Sequence, residues 1–117
     1  MAMDNRILLL QEWGCDTAAA LERMLDDEDF YIECLQIVQT DVHFDKLKIA
    51  LENRETETAF DCAHTLKGVL GNVGLTPMYE MDVQIVEQLR IGRCENLDDK
   101  LESLLRMRER LGDILAG

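Results

Sequence analysis

Residues 56–75 read TETAFDCAHTLKGVLGNVGL, and the spacing inside this stretch decides how the chain folds. On a helical wheel at about 100° per residue with Leu66 at zero, Ala59, Cys62, Ala63, Leu66, Val69, Leu70 and Val73 fall within about 60° of it. An arc of that width is the buried face of an amphipathic helix spanning about 56–72. His64 falls at about 160°, nearly opposite, and Lys67 (about 100°), Phe60 (about 120°), Gly71 (about 140°) and Gly68 (about 200°) share its side. Gly74 is placed to end the helix.

Helical spacing continues on both sides. Thr76-Pro77 reads as an N-cap followed by proline at the first helical position. Met78, Met81, Ile85 and Leu89 then give a stripe that ends near Arg90-Ile91-Gly92. Asn96 is expected to cap a last helix carrying Leu97, Leu101, Leu104, Leu111 and Leu115. Upstream, Asp26-Asp27-Glu28-Asp29 suits the positive end of a helix dipole. From there a long helix is expected to run to about Asn53, with Phe30, Tyr31, Cys34, Leu35 and Val38 as its stripe. After Gln39-Thr40-Asp41 the stripe changes phase to Phe44, Leu47 and Leu51, which a bend and a short break both accommodate. Residues 4–12 read as a short leading helix with Asp4 as cap and Ile7, Leu8 and Leu10 as its apolar patch, ended by Gly14. Asp16 caps a second short helix that turns Leu21 and Met24 or Leu25 to one face.

The expectation is therefore an all-α protein. Each helix has one stripe to hide, and the simplest shared solution is an antiparallel bundle with one or two short extra N-terminal helices. Residues 1–117 read as one unit, with 1–13 as the leading helix and 14–117 as the bundle and its capping helix. A length of 117 residues suffices for a core without metal or disulfide staples. A single proline and an aromatic content of 5% favour few, long helices over sheets.

Charge narrows the partners. With 12 basic and 24 acidic residues the net charge is −12, which disfavours nucleic acid and anionic membrane. No apolar run approaches the roughly 20 residues of a membrane span, and Asp4 interrupts any export signal, so a cytoplasmic location is expected. Cys15, Cys34, Cys62 and Cys94 form no CxxC pair and read as reduced thiols packed as small hydrophobes. His43 has no companion at metal spacing and reads as a surface residue. Asp61-x-x-His64 lacks the second copy that a di-iron bundle needs, so no metal site is expected.

The chemistry gathers around His64. Mid-helix glycines cost about 1 kcal/mol each relative to alanine. Gly68 and Gly71 lie beside an outward histidine, where the core does not explain them; bare backbone there would let another protein approach the imidazole. Lys67, one turn on, would neutralise an anion carried by the ring rather than assist a metal. Nucleophile, cation and bare backbone describe covalent phosphoryl transfer to histidine. Neither GxxxxGK[ST] nor a kinase glycine loop is present, so there is no visible route for phosphate from ATP.

Ala63-His64-Thr65-Leu66-Lys67-Gly68, with Gly71, Gly74 and Leu75, resembles the signature of histidine-containing phosphotransfer (HPt) domains. The likeness extends through Gly14-Cys15-Asp16, Phe30-Tyr31 and the helix lengths, over roughly residues 14–112. It implies a four-helix bundle acting as a phosphocarrier rather than an enzyme with its own ATP site. His64 would accept a phosphoryl group from a receiver-domain aspartate and pass it to another receiver. Lys67 would stabilise phosphoryl charge, and Gly68 would permit receiver approach. Gly71 and Gly74 would allow close helix packing and the turn, and Phe60 would join Gly68 and Gly71 on the docking face. The implied partners are response-regulator receiver domains and a hybrid sensor kinase, with a monomeric carrier. No cofactor is implied on this chain, since magnesium would come with the receiver.

The sequence departs from the family pattern at two positions. Where many members carry a ring-orienting glutamine, 22 positions after the histidine, this chain has Val86. Asp82 falls inside the apolar arc of its own helix. Reflecting that helix about the turn near residue 74 puts residues 82–86 level with His64. Asp82 is thus a candidate to orient the ring by accepting a hydrogen bond from its other nitrogen, the alternative being a carboxylate that reaches solvent at the seam. The missing glutamine also leaves open a helical adapter that binds receiver or kinase domains without carrying phosphate. The initiating methionine is compatible with a free-standing protein, and an excised domain of a hybrid kinase is the other reading.

Overall fold

The computed structural model describes residues 3–117; Met1 and Ala2, the start of the 1–13 leading segment, lie outside the described residues. The described residues form seven helices and no strand: α1 Asn5–Trp13, α2 Thr17–Arg23, α3 Glu28–Gln39, α4 His43–Glu52, α5 Thr56–Asn72, α6 Thr76–Arg90 and α7 Asp98–Ala116. α4 packs on α5, α5 on α6, α6 on α7, and α7 returns to α3. Short connections make successive long helices antiparallel, so α3 and α4 together form one wall of a four-helix bundle. α1 packs on α7 and α2, and α2 on α3, which adds two short N-terminal helices to the bundle.

Three aspartates start helices by satisfying amides that have no intrahelical acceptor. Asp4 accepts from the Arg6 N–H at 2.9 Å, Asp16 from Ala19 at 3.2 Å and Asp27 from Phe30 at 3.0 Å. The acidic run is thus divided between the Asp27 cap and a first turn holding Glu28 and Asp29.

The phase shift near residue 40 is a break. α3 ends at Gln39, and the Asp41 carboxylate accepts from the His43 N–H at 2.7 Å while also lying 2.7 Å from His43 Nδ1. His43 is consequently half-buried beside an acidic partner rather than a free surface residue.

The turn between α5 and α6 is where glycine is required. Gly74 has φ +70°, and a Cβ there would sit 2.3 Å from the Asp16 carbonyl oxygen. That closeness lets the Asp16 N–H donate to the Gly74 carbonyl at 2.9 Å. The buried Tyr31 hydroxyl donates to the Val73 carbonyl at 2.8 Å. α2 and α3 therefore hold the end of α5 in place.

One cluster of buried apolar residues runs from Ile7 to Leu115. Ala59, Cys62, Ala63, Leu66, Leu70 and Val73 of the α5 arc are buried, and Val69 is half-buried. Each fully buried leucine contributes roughly 2 kcal/mol of transfer free energy, so this stripe fixes the rotation of α5 and with it the outward direction of residue 64.

Several local expectations need correcting. Leu8 and Phe30 are exposed, and Leu25 is 90% exposed, so of the two alternatives it is half-buried Met24 that joins Leu21 on the inner face of α2. Asn96 does not cap α7: it adopts φ +63°, and the cap position is Leu97, whose buried side chain anchors the helix start instead. Thr76 is already helical, and its hydroxyl accepts from the Asp16 N–H at 3.2 Å. All four cysteines are free thiols; Cys15 and Cys62 are buried, Cys34 and Cys94 half-buried. Burial pushes the Cys15 thiol up to about 11, which makes it a poor nucleophile.

Candidate functional site

The outer face of α5 carries His64 in the open, and the opposite face of the helix is buried through Ala59, Cys62, Ala63, Leu66 and Leu70. What touches the imidazole is Phe60, one turn earlier: the two rings are stacked with centroids 5.6 Å apart and planes inclined by 26°. On Phe60 also lies the Arg90 guanidinium from the end of α6, 5.3 Å from the ring centroid. An arginine, a phenylalanine and a histidine thus lie in sequence across the α5–α6 seam. Cation–π attraction of about 0.5–1 kcal/mol holds the first two together at such an exposed site.

A shallow groove continues from His64 along α5, lined by Arg23, Lys67, Gly68, Gly71, Asn72 and Tyr79. Lys67 is half-buried and forms no ion pair among the described residues. Arg23 reaches over from α2, and its Nη1 donates to the Asn72 carbonyl at 3.0 Å and the Gly71 carbonyl at 3.4 Å. Two cations therefore border a histidine on a chain whose net charge is −12. That is a local inversion of sign suited to an anionic group.

The two glycines on this face differ. A Cβ at Gly68 would meet nothing within 4 Å, so the chain itself gains nothing from glycine there. A Cβ at Gly71 would lie 3.3 and 3.4 Å from the Tyr79 ring, so the absence of a side chain there lets α6 pack closely. Gly68 is the position that keeps backbone bare toward the outside.

Asp82 does not behave as either sequence reading expected. Its side chain is 0% exposed and therefore does not reach solvent. Both carboxylate oxygens are without a hydrogen-bond partner, so no bond to the His64 ring is made. Burial pushes the carboxyl up to about 7, with the Lys67 ammonium pulling in the opposite direction. The reflection about residue 74 fell short by two residues, about half a turn, which makes His64 level with Val86 at the far end of the 82–86 range and leaves Asp82 off that level. Gly71 faces Tyr79; one turn back along α5 and one turn on along α6 stand Lys67 and Asp82, so the carboxyl is level with the lysine. Val86 is fully buried and offers the ring no polar group. Arg23 and Arg90 were not anticipated. Arg90 was within reach of the same reflection, because it closes α6 opposite Phe60; Arg23 depends on how α2 folds over the turn.

The described residues thus form an antiparallel helical bundle that presents one stacked histidine, flanked by cations and bare backbone, on an open wall. The chain belongs to the Hpt domain family, whose family model matches residues 34–117. Domains of this family carry out histidine phosphotransfer in phosphorelay signal transduction and interact with response-regulator receiver domains. The match begins inside α3, so α1, α2 and the first half of α3 fall outside it, although the resemblance was expected from residue 14. Neither the curated proteins nor the solved structures include a match to this chain. No helix of the described residues is long and apolar enough to cross a membrane.

Proposed function

We propose that this chain is a phosphocarrier whose His64 accepts a phosphoryl group from a receiver-domain aspartyl phosphate and passes it to a second receiver. The acyl phosphate P–O bond breaks and a P–N bond forms to a ring nitrogen; the aspartate leaves as carboxylate, and the imidazole proton goes to solvent. The receiver supplies magnesium and the acidic pocket, while this chain supplies the nucleophile, with no cofactor or ATP site of its own. Lys67 neutralises charge on the transferred group, as phosphoryl transfer requires. Gly68 lets the receiver surface approach, with Gly71 and Phe60 on the same docking face. The proposed partners include a hybrid sensor kinase alongside the receivers, and the setting is cytoplasmic, with the carrier monomeric.

One observation carries this proposal: His64 stands exposed between an unpaired ammonium and a glycine that no contact within the chain requires. The test is incubation with phosphorylated receiver domains. Acid-labile, base-stable phosphate should appear on the wild type and not on His64→Gln. Equal labelling of the two would refute the carrier role, and binding without labelling of either would favour the adapter.

A further inference from the structure

We infer that Asp82 is a positioning residue for Lys67, drawing its ammonium toward the α5–α6 seam and so regulating how much of its charge reaches a group on His64. Resting on the carrier role of His64, this adds a second player to it. Asp82 lies on α6 with no exposure and no hydrogen bond to either oxygen. An unpartnered buried carboxylate is costly, and a cation or a proton is what relieves it. Lys67 stands level with it across the seam, half-buried and otherwise unpaired, and its charge favours the ionised carboxyl.

The other charged groups on the helices around α6 are committed elsewhere or point outward. On α7, Arg106 pairs with Glu102, and Arg108 spends itself on the Gln39 carbonyl and Asp45. Arg110 lies over the Trp13 ring, and Lys100 reaches Gln88. On α5, Glu57, Asp61 and His64 are exposed, and on α6 itself Arg90 lies over Phe60 while Glu80 and Glu87 are exposed.

Two arrangements follow. With Asp82 neutral, Lys67 is free to face outward and serve the phosphoryl group. With Asp82 ionised, the carboxylate competes for the ammonium, and the phosphoryl group loses part of its counter-charge. Relative to a protein with no charge at residue 82, the wild type should therefore hold phosphohistidine less well as pH rises through the titration of Asp82.

The test has two arms on the full chain. In the unphosphorylated protein, the Lys67 side-chain NMR signal should follow the titration of the Asp82 carboxyl carbon and become flat in Asp82→Asn. A lysine signal indifferent to that titration in the wild type overturns the inference. In the second arm His64 is labelled with phosphoramidate, and phosphohistidine decay is followed by phosphorus NMR across neutral pH. The intrinsic pH dependence of the phosphohistidine bond is common to both proteins, so the difference between wild type and Asp82→Asn isolates residue 82. At mildly alkaline pH the Asp82→Asn phosphohistidine should last about fivefold longer, the effect of one charge competing for an ammonium at a dielectric between protein and water. That gain should vanish in a Lys67→Met background; its persistence there would mean that Asp82 acts through the fold, which overturns the inference. Failure of phosphoramidate to label wild-type His64 would overturn the carrier role instead, while the first arm still decides the Asp82–Lys67 coupling.

Discussion

The Phe60 ring lies against the imidazole of His64 at a centroid separation of 5.6 Å, and it is this contact that restrains the exposed histidine. Neither residue 82 nor residue 86 gives the ring a hydrogen bond: the oxygens of Asp82 are unpartnered and Val86 is apolar. Aromatic pairs of this kind are worth about 0.5–1.5 kcal/mol beyond area burial, roughly a two- to tenfold effect on a population of ring orientations. Phe60→Leu should therefore slow transfer from a phosphorylated receiver about threefold or more while costing little stability, because Phe60 is only half-buried. Phe60→Tyr should retain the wild-type rate. Parallel rate and thermal-unfolding measurements on both variants check this.

Gly68→Ala separates the needs of the fold from those of the partner. The added methyl meets nothing within the chain, so replacing a mid-helix glycine should stabilise α5 by about 0.5–1 kcal/mol in urea unfolding. The same methyl stands where a receiver would approach, so transfer from a receiver should fall, and Gly68→Gln should reduce it further. A glycine kept for internal packing would give the opposite signs, with stability falling and transfer unaffected.

Gly74→Ala should be among the most damaging single changes to the fold. Positive φ alone costs a non-glycine residue about 1–3 kcal/mol. Here the Cβ would also meet backbone, the Asp16 carbonyl oxygen at 2.3 Å, which cannot swing aside as a side chain would. A loss of at least about 3 kcal/mol in chemical denaturation is expected, with Gly14→Ala milder because its Cβ would meet only the Pro77 ring at 4.0 Å.

Periodicity made the rotation of α5 legible: the arc from Ala59 to Val73 went inward and His64 outward because burial of Leu66 and Leu70 leaves no alternative phase. The chemistry of one face, His64 with Lys67 and Gly68, could be read from one helix for the same reason. Contacts between helices were less accessible. Asp82 was correctly placed on the inner arc of α6, but which residue of α5 stands level with it depends on an offset of about half a turn, set by the turn at Gly74 and by the Asp16 and Tyr31 hydrogen bonds. The choice between bend and break at residue 40 likewise rests on a local detail, the Asp41 carboxylate taking the His43 amide. Arg23 reaches the groove only because α2 folds across the end of α5.

Lys67→Ala should leave stability within about 1 kcal/mol of wild type, since the side chain lies outside the core arc and forms no ion pair. Transfer should slow at least about tenfold, the usual order for removing a charge that stabilises a developing anion. A loss of several kcal/mol in unfolding would instead place the lysine stem among the groups that hold α5 to α6. Comparison of transfer rates with unfolding midpoints for the one variant distinguishes the two.

The buried carboxyl of Asp82 gives the fold a pH dependence of definite sign. Its ordinary value near 3.8 applies in the unfolded chain, and burial raises it to about 7 in the folded one. Between these values the folded state binds more protons than the unfolded state, so stability falls as pH rises through this window. The penalty is absent below the lower value and complete above the upper one, where it amounts to a few kcal/mol. Asp82→Asn removes the charge at all pH values, and Asp82→Leu removes the polar burden as well. Relative to wild type, both should gain stability progressively from about pH 4 to about pH 7 and hold a constant advantage beyond it, with Asp82→Leu the more stable of the two at alkaline pH. Urea titrations of the three proteins across this range measure the difference directly, and a wild-type curve parallel to that of Asp82→Asn would show that residue 82 stays ionised in the folded protein.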